Sequence, residues 1–109
     1  MKFKPYIRKV NYYETDRMSI VHHSNYIRYF EEARIYAMEQ LGCDLIEMER
    51  QNMIIPVVDV YAKYHKSLCC SDEFAVYIKM TYFNGVKQKF DYEIRFTSDN
   101  SLACTGHST

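Results

Sequence analysis

The sequence predicts an α+β domain in which one long helix lies on an antiparallel sheet of five strands. Three observations point there. Apolar residues alternate with period two in three separate stretches, and one run carries them at helical spacing. Gly and Pro occur only three times and twice. Period-two alternation gives a strand one buried and one wet face, the usual pattern of an antiparallel sheet. So few chain breakers leave room for long regular elements with few sharp turns.

The elements follow in order. From Phe3 to Tyr13 the chain is rich in aromatic and β-branched residues and reads as a first strand. In the helix, Tyr26, Tyr29, Phe30, Ala33, Ala37 and Leu41 share one face, with Arg28, Glu31, Glu32 and Glu39 opposite. Ser24 and Asn25 suit its N-cap, and Gly42 stands where a C-cap glycine belongs. A weaker helical turn, Asp44 to Gln51, precedes Pro56. Val58, Val60, Ala62 and Tyr64 then share one face of a second strand. Phe74, Val76, Ile78, Met80 and Tyr82 mark a third. Asn84-Gly85 tolerates the positive φ of a tight hairpin. Val86, Gln88, Phe90, Tyr92, Ile94 and Phe96 line the fourth strand, and Asp99-Asn100 turns the chain into a fifth from Leu102. Such a sheet buries one face on the helix and must protect its edges, so pairing between subunits is expected.

With 109 residues there is room for one domain, spanning 1–109. Hydrophobic residues at 48% and charged residues at 26% describe a globular chain and argue against disorder. Fourteen basic residues balance fourteen acidic ones, so the basic surplus that drives nucleic-acid binding is missing. No apolar run approaches the roughly 20 residues of a membrane span, and Met1-Lys2-Phe3-Lys4-Pro5 has no apolar signal core. Cys43, Cys69-Cys70 and Cys104 form no CxxC and suggest no disulfide framework, so a cytoplasmic setting is expected.

The segment from Tyr12 to Tyr26 carries the chemistry. It leaves a strand, crosses a loop and opens the long helix, and loops held between rigid elements are where sites gather. A helix start presents unpaired N–H groups and positive dipole, which suits a developing oxyanion. Asp16, seven positions before His23, is a carboxylate able to act as base or nucleophile. Together they are a means of splitting an ester or thioester. His22 and His23 are adjacent, point differently and lack a third ligand at suitable spacing, so no metal site is read there. Cys69 and Cys70 have no His or Asn partner signalled, and read as bystanders.

The run Tyr13-Glu14-Thr15-Asp16, then Met18, Val21-His22-His23-Ser24-Asn25-Tyr26, Tyr29-Phe30-Glu31 and Ala33-Arg34, resembles the acyl-CoA thioesterases of the hotdog fold. The nearer branch is the 4-hydroxybenzoyl-CoA thioesterase-like group, which includes the Tol-Pal-associated acyl-CoA thioesterases. Leu41-Gly42, Ile55-Pro56-Val57-Val58 and Tyr64 extend the resemblance over nearly the whole chain. It implies a five-stranded antiparallel sheet wrapped around one long central helix. It also implies that Asp16 is the catalytic carboxylate and that the His23 backbone N–H contributes the oxyanion contact. The thioester would bind between the subunits of a homodimer or homotetramer. Relatives run on beyond Gly106-His107-Ser108-Thr109, so the end of the last strand is expected to be missing. Ser24 stands where relatives often carry Ala or Gly.

The resulting expectation is hydrolysis of an acyl-CoA or acyl-carrier-protein thioester without metal or redox cofactor. Asp16 and His23 are the catalytic candidates. Ser24, Asn25, Val58 and Lys63 are the substrate-binding ones, with Met18 and Val57 also apolar candidates for the acyl pocket. Lys63, Lys66, Lys87 and Lys89 lie on wet strand faces, where contacts to phosphates would be charge-assisted. Two alternatives stay open. A hotdog hydratase or dehydratase would need Glu31 or Glu32 facing inward with His23, and a non-catalytic acyl-binding module would bind without turnover.

Overall fold

The computed structural model describes residues 3–16, 20–42, 59–83 and 88–109. The helical turn expected over 44–51, the Asn84-Gly85 turn, Met18, Val57 and Val58 lie outside them. Among the described residues, strands β1 (Tyr6–Lys9), β2 (Val60–Tyr64), β3 (Glu73–Phe83), β4 (Gln88–Phe96) and β5 (Leu102–Ser108) form one antiparallel sheet in the order β1-β3-β4-β5-β2. Helix α1 (Ser24–Gln40) touches β3 and both edge strands, β1 and β2. Five strands about 4.8 Å apart set the edges of a flat sheet roughly 19 Å from each other. A helix about 10 Å across can meet both edges only if the sheet curls around it. This is the α+β hotdog architecture the sequence predicts.

The alternation of β4 is nearly ideal: Phe90, Tyr92, Ile94 and Phe96 are buried between exposed neighbours. In β3 Phe74, Val76 and Ile78 are buried on the core side, and the small Ala75 between them is buried as well. A register shift between Met80 and Tyr82 then breaks the pattern, and Tyr82 is exposed. The helix buries Tyr26, Tyr29, Phe30, Ala33 and Ala37 as expected, and Met38 besides, but Leu41 is exposed. Leu41 lies past the helix end, where Gly42 at φ 78° closes it and donates to the Glu39 carbonyl at 2.9 Å. Asn100, at φ 60°, makes the turn into β5.

Phe30 locks the helix to the sheet. Its ring stacks on Tyr92 at 4.5 Å and lies against the backbone of Gly106. A Cβ on Gly106 would come within 2.4 Å of the Tyr61 carbonyl oxygen and 2.6 Å of the Phe30 ring. Only glycine allows this approach. Beside it, the Tyr92 hydroxyl meets Ser108 Oγ at 2.7 Å and is satisfied in the interior.

The first strand is shorter than the sequence suggests. It ends at Lys9, and Tyr12–Glu14 forms a single 3-10 turn. In this strand Ile7 is exposed, whereas Arg8 points inward over the rings of Tyr29 and Phe74 at 5.0 and 5.8 Å. Arg8 forks onto Glu32 of α1 at 2.7 and 3.0 Å and also meets Glu14. Glu32, expected on the polar side of the helix, is therefore drawn against the protein by an ion pair.

Candidate active site

The described residues on both sides of the loop joining the 3-10 turn to α1 are held by backbone contacts. The Thr15 and Val21 backbones bridge, Asp16 N–H donates to the Ile20 carbonyl at 2.9 Å, and Val21 N–H donates to Leu68 at 2.8 Å. His22 N–H then donates to the Glu14 carbonyl at 3.0 Å. The Asn25 side-chain amide reaches the same carbonyl at 2.8 Å from inside the protein. Asp16 and the helix start are thus brought together by backbone closure of the loop.

The helix begins at Ser24, with His23 as its flanking residue in helical conformation. The cap comes from His22, two residues before the nearer N-cap candidate of the sequence: Ser24 N–H donates to His22 Nδ1 at 3.2 Å. A backbone N–H can only donate, so Nδ1 is the acceptor and the neutral ring carries its proton on Nε2. The Ser24 hydroxyl is 2.8 Å from the same nitrogen, and the His22 and His23 rings lie 4.2 Å apart. Among the described residues nothing accepts the His23 N–H.

A cavity of about 340 Å³ opens at this helix end. One wall is Asp16, Ile20 and Val21 from the loop, and the floor is His22, His23 and Tyr26. The far wall is Tyr64, His65, Lys66 and Ser67, where the chain leaves β2. Tyr64 donates its hydroxyl to the His23 carbonyl at 3.2 Å and packs edge-on against Tyr26 at 5.0 Å. Tyr26 accepts from Leu68 N–H at 3.1 Å. Burial pushes both phenols above their ordinary pKa, so the two hydroxyls keep their protons at neutral pH. His65 and Lys66 both donate their N–H to the Ala103 carbonyl, at 2.8 and 3.1 Å. This fixes the far wall to β5.

Of the residues singled out in the sequence, Asp16 and His23 share this cavity. Ser24 and Asn25 have other partners: the Ser24 hydroxyl faces His22, and Asn25 is buried on the Glu14 carbonyl. Lys63 is exposed on β2 and is not among the lining residues, whereas Lys66 is. His65 was missed as a wall residue. Its placement depends on the pairing of Tyr64 with Cys104, forty residues away, which no local pattern signals. Cys104 itself is fully buried, and burial pushes its thiol up to about 12, which removes it as a nucleophile. Among the described residues, no three His, Cys, Asp or Glu side chains gather as a metal set. None of their helices is long and apolar enough to cross a membrane.

A sheet curled around one helix, with a cavity at the helix start lined by Asp16 and His23, is an arrangement of the hotdog thioesterase type. The comparisons agree. The sequence model of the thioesterase-like superfamily matches residues 10–109, and the chain belongs to that superfamily. A protein of Aquifex aeolicus (strain VF5), provisionally named an esterase, is 37% identical over 90% of this chain and 76% of its own length. A Bacillus subtilis (strain 168) protein, YneP, provisionally named an acyl-CoA thioesterase, is 35% identical over 79% of this chain. The match takes in 62% of that relative, so this chain spans under two thirds of it. Among solved structures, DHNA-CoA thioesterase from Staphylococcus aureus superposes with a TM-score of 0.90 at 31% identity, over 95% of this chain and 69% of that one.

Proposed function

We propose that the protein hydrolyses an acyl-CoA thioester to free acid and thiol, with Asp16 and the His23 N–H as its working groups. The observation that carries this reading is their convergence on one cavity, at a helix start where no described residue accepts the His23 N–H. The thioester oxygen sits at that amide, where the N-terminal end of the helix favours the negative charge of the tetrahedral intermediate. Asp16 takes a proton from water as the water oxygen bonds to the carbonyl carbon. Collapse of the intermediate breaks the C–S bond, and the electron pair leaves on sulfur. Direct attack by the Asp16 carboxylate, giving an anhydride that water then cleaves, uses the same geometry. A thiolate leaves without help from a strong acid, so the reaction needs no metal or redox group.

Hydration chemistry is less well supported. Glu31 is exposed, and Glu32 gives its carboxylate to Arg8 and to the Tyr6 hydroxyl, so neither is offered to His23. Lys66 in the cavity wall and Lys63 on the neighbouring strand are the cations we assign to the phosphates of CoA. Edge strand β2, with Val60, Tyr61 and Tyr64 exposed, supports a homo-oligomer with sites at its interface. We read the setting as cytoplasmic, which suits the free thiols of Cys69, Cys70 and Cys104.

The test is thiol release from short, long and aromatic acyl-CoAs, beginning with DHNA-CoA, the substrate named for the S. aureus neighbour. Asp16→Asn should lose at least about a hundredfold in kcat, as for other general-base removals. Equal rates in the two proteins would give Asp16 a structural role only. No release from any CoA ester, followed by release from an acyl-carrier protein, would move the substrate to the carrier.

A further inference from the structure

Arg8 and Glu14 take no part in the cavity, yet both are withdrawn from water, with side chains 16% and 5% exposed. A buried ion pair is weak evidence of added stability, because apolar residues of similar size often do as well; its better attested use is fixing register. Here the pair sits at a junction. The Glu14 carboxylate receives Arg8 and the Asn11 N–H at 2.8 Å, while its carbonyl receives His22 N–H and the Asn25 amide. Arg8 simultaneously forks onto Glu32, eight residues into α1. One guanidinium therefore joins the helix to the loop that carries Asp16, and one residue joins that loop to the peptide preceding His23.

We propose that Glu14 is a positioning residue, which with Arg8 sets the distance between the Asp16 carboxylate and the His23 N–H. The inference rests on the thioesterase reading and assigns that site a frame behind it. Asp16 lies two residues beyond Glu14 along the chain, and His23 one residue beyond the amide that Glu14 holds. The loop between them closes on itself through the Asp16–Ile20 and Thr15–Val21 backbone contacts. Slack at Glu14 is thus passed to both reacting partners at once. Reaction rates are steep in such displacements, since a shift of about 1 Å can cost a hundredfold.

The experiment pairs kinetics with amide hydrogen exchange on Glu14→Gln, which keeps the side chain's shape and removes its charge. The expected result is a loss of about tenfold or more in kcat with KM within about twofold of wild type. Exchange at the His22 amide should rise about tenfold in a protein folded at the assay temperature. A role confined to stability would lower the melting temperature and leave both readouts unchanged, which overturns the proposal. Should Glu14→Gln fail to fold, Arg8→Lys takes its place. Lysine keeps the charge but lacks the fork, so the same losses are expected, and wild-type values again overturn the proposal. If wild type hydrolyses no thioester, the proposed function fails; exchange at His22 then decides the frame on its own, wild-type protection counting against it.

Discussion

The two ends of α1 are held by different kinds of contact. At the start, His22 N–H and the Asn25 amide meet on the Glu14 carbonyl, Tyr64 reaches the His23 carbonyl, and His22 caps Ser24. These partners come from the site loop and from β2, up to 41 residues away. The far end is closed by its own backbone, with Gly42 at φ 78° donating to Glu39 and Leu41 donating to Met38 at 3.0 Å. Its side-chain tie is exposed: Gln40 bonds the backbone of Lys4 at 2.8 and 3.3 Å. A local cap is enough to stop a helix. The buried contacts of Asn25 and Tyr26, reaching 11 and 42 residues along the chain, do something else, because they fix where the first turn stands relative to other elements. The contrast teaches that positional control is concentrated at the end where an amide faces the cavity.

Three substitutions can break or sharpen this contrast. The largest effect should come from between the ends, where Gly106→Ala forces Cβ against the Tyr61 carbonyl and the Phe30 ring. Backbone on one side and a packed ring on the other leave little room to yield, so about 3 kcal/mol should be lost in denaturant unfolding. Turnover should fall with it, since the helix is lifted along its length.

Asn25→Ala should cost about 2 kcal/mol, because a buried hydrogen bond to the Glu14 carbonyl is lost. Its kcat should fall by about tenfold even at temperatures where the variant is fully folded. A variant weakened in stability but normal in kcat would erase the distinction between the two ends.

Gly42→Ala should cost about 1 kcal/mol, the ordinary penalty for a Cβ in the left-handed region. Steady-state kinetics should be unchanged, measured well below the melting temperature. A drop in kcat here would mean that the far end also governs the site.

Most of the fold was legible because it is written in local periodicity. The alternation from Phe90 to Phe96 and the helical stripe from Tyr26 to Ala37 each follow from spacing alone, and both are buried as read. The errors arose where tertiary contacts overrule spacing. Leu41 fits the helical stripe, but the helix ends before it and it is exposed, whereas Met38 is buried. In β1 residue type alone does not tell that Ile7 is exposed and Arg8 turned inward, which two carboxylates on the inner side favour. Glu14 reads only as part of the segment leaving the first strand until its partners, six residues back and eleven residues ahead, are placed. For the candidate site, the sequence singled out Asp16 and His23, which lie on one continuous segment. Tyr64 and His65 on the opposite wall arrive through the pairing of β2 with β5, and sequence spacing holds no record of that.

The peptide unit joining His22 to His23 has a further consequence. A peptide is a rigid plane with its oxygen and its hydrogen on opposite sides. The His22 oxygen is already tied down by Asn25 N–H at 2.9 Å. The His23 hydrogen at the other rim of that plane therefore keeps one bearing, like a compass needle clamped at its tail. An incoming oxygen must align with it, since the protein will not turn to follow.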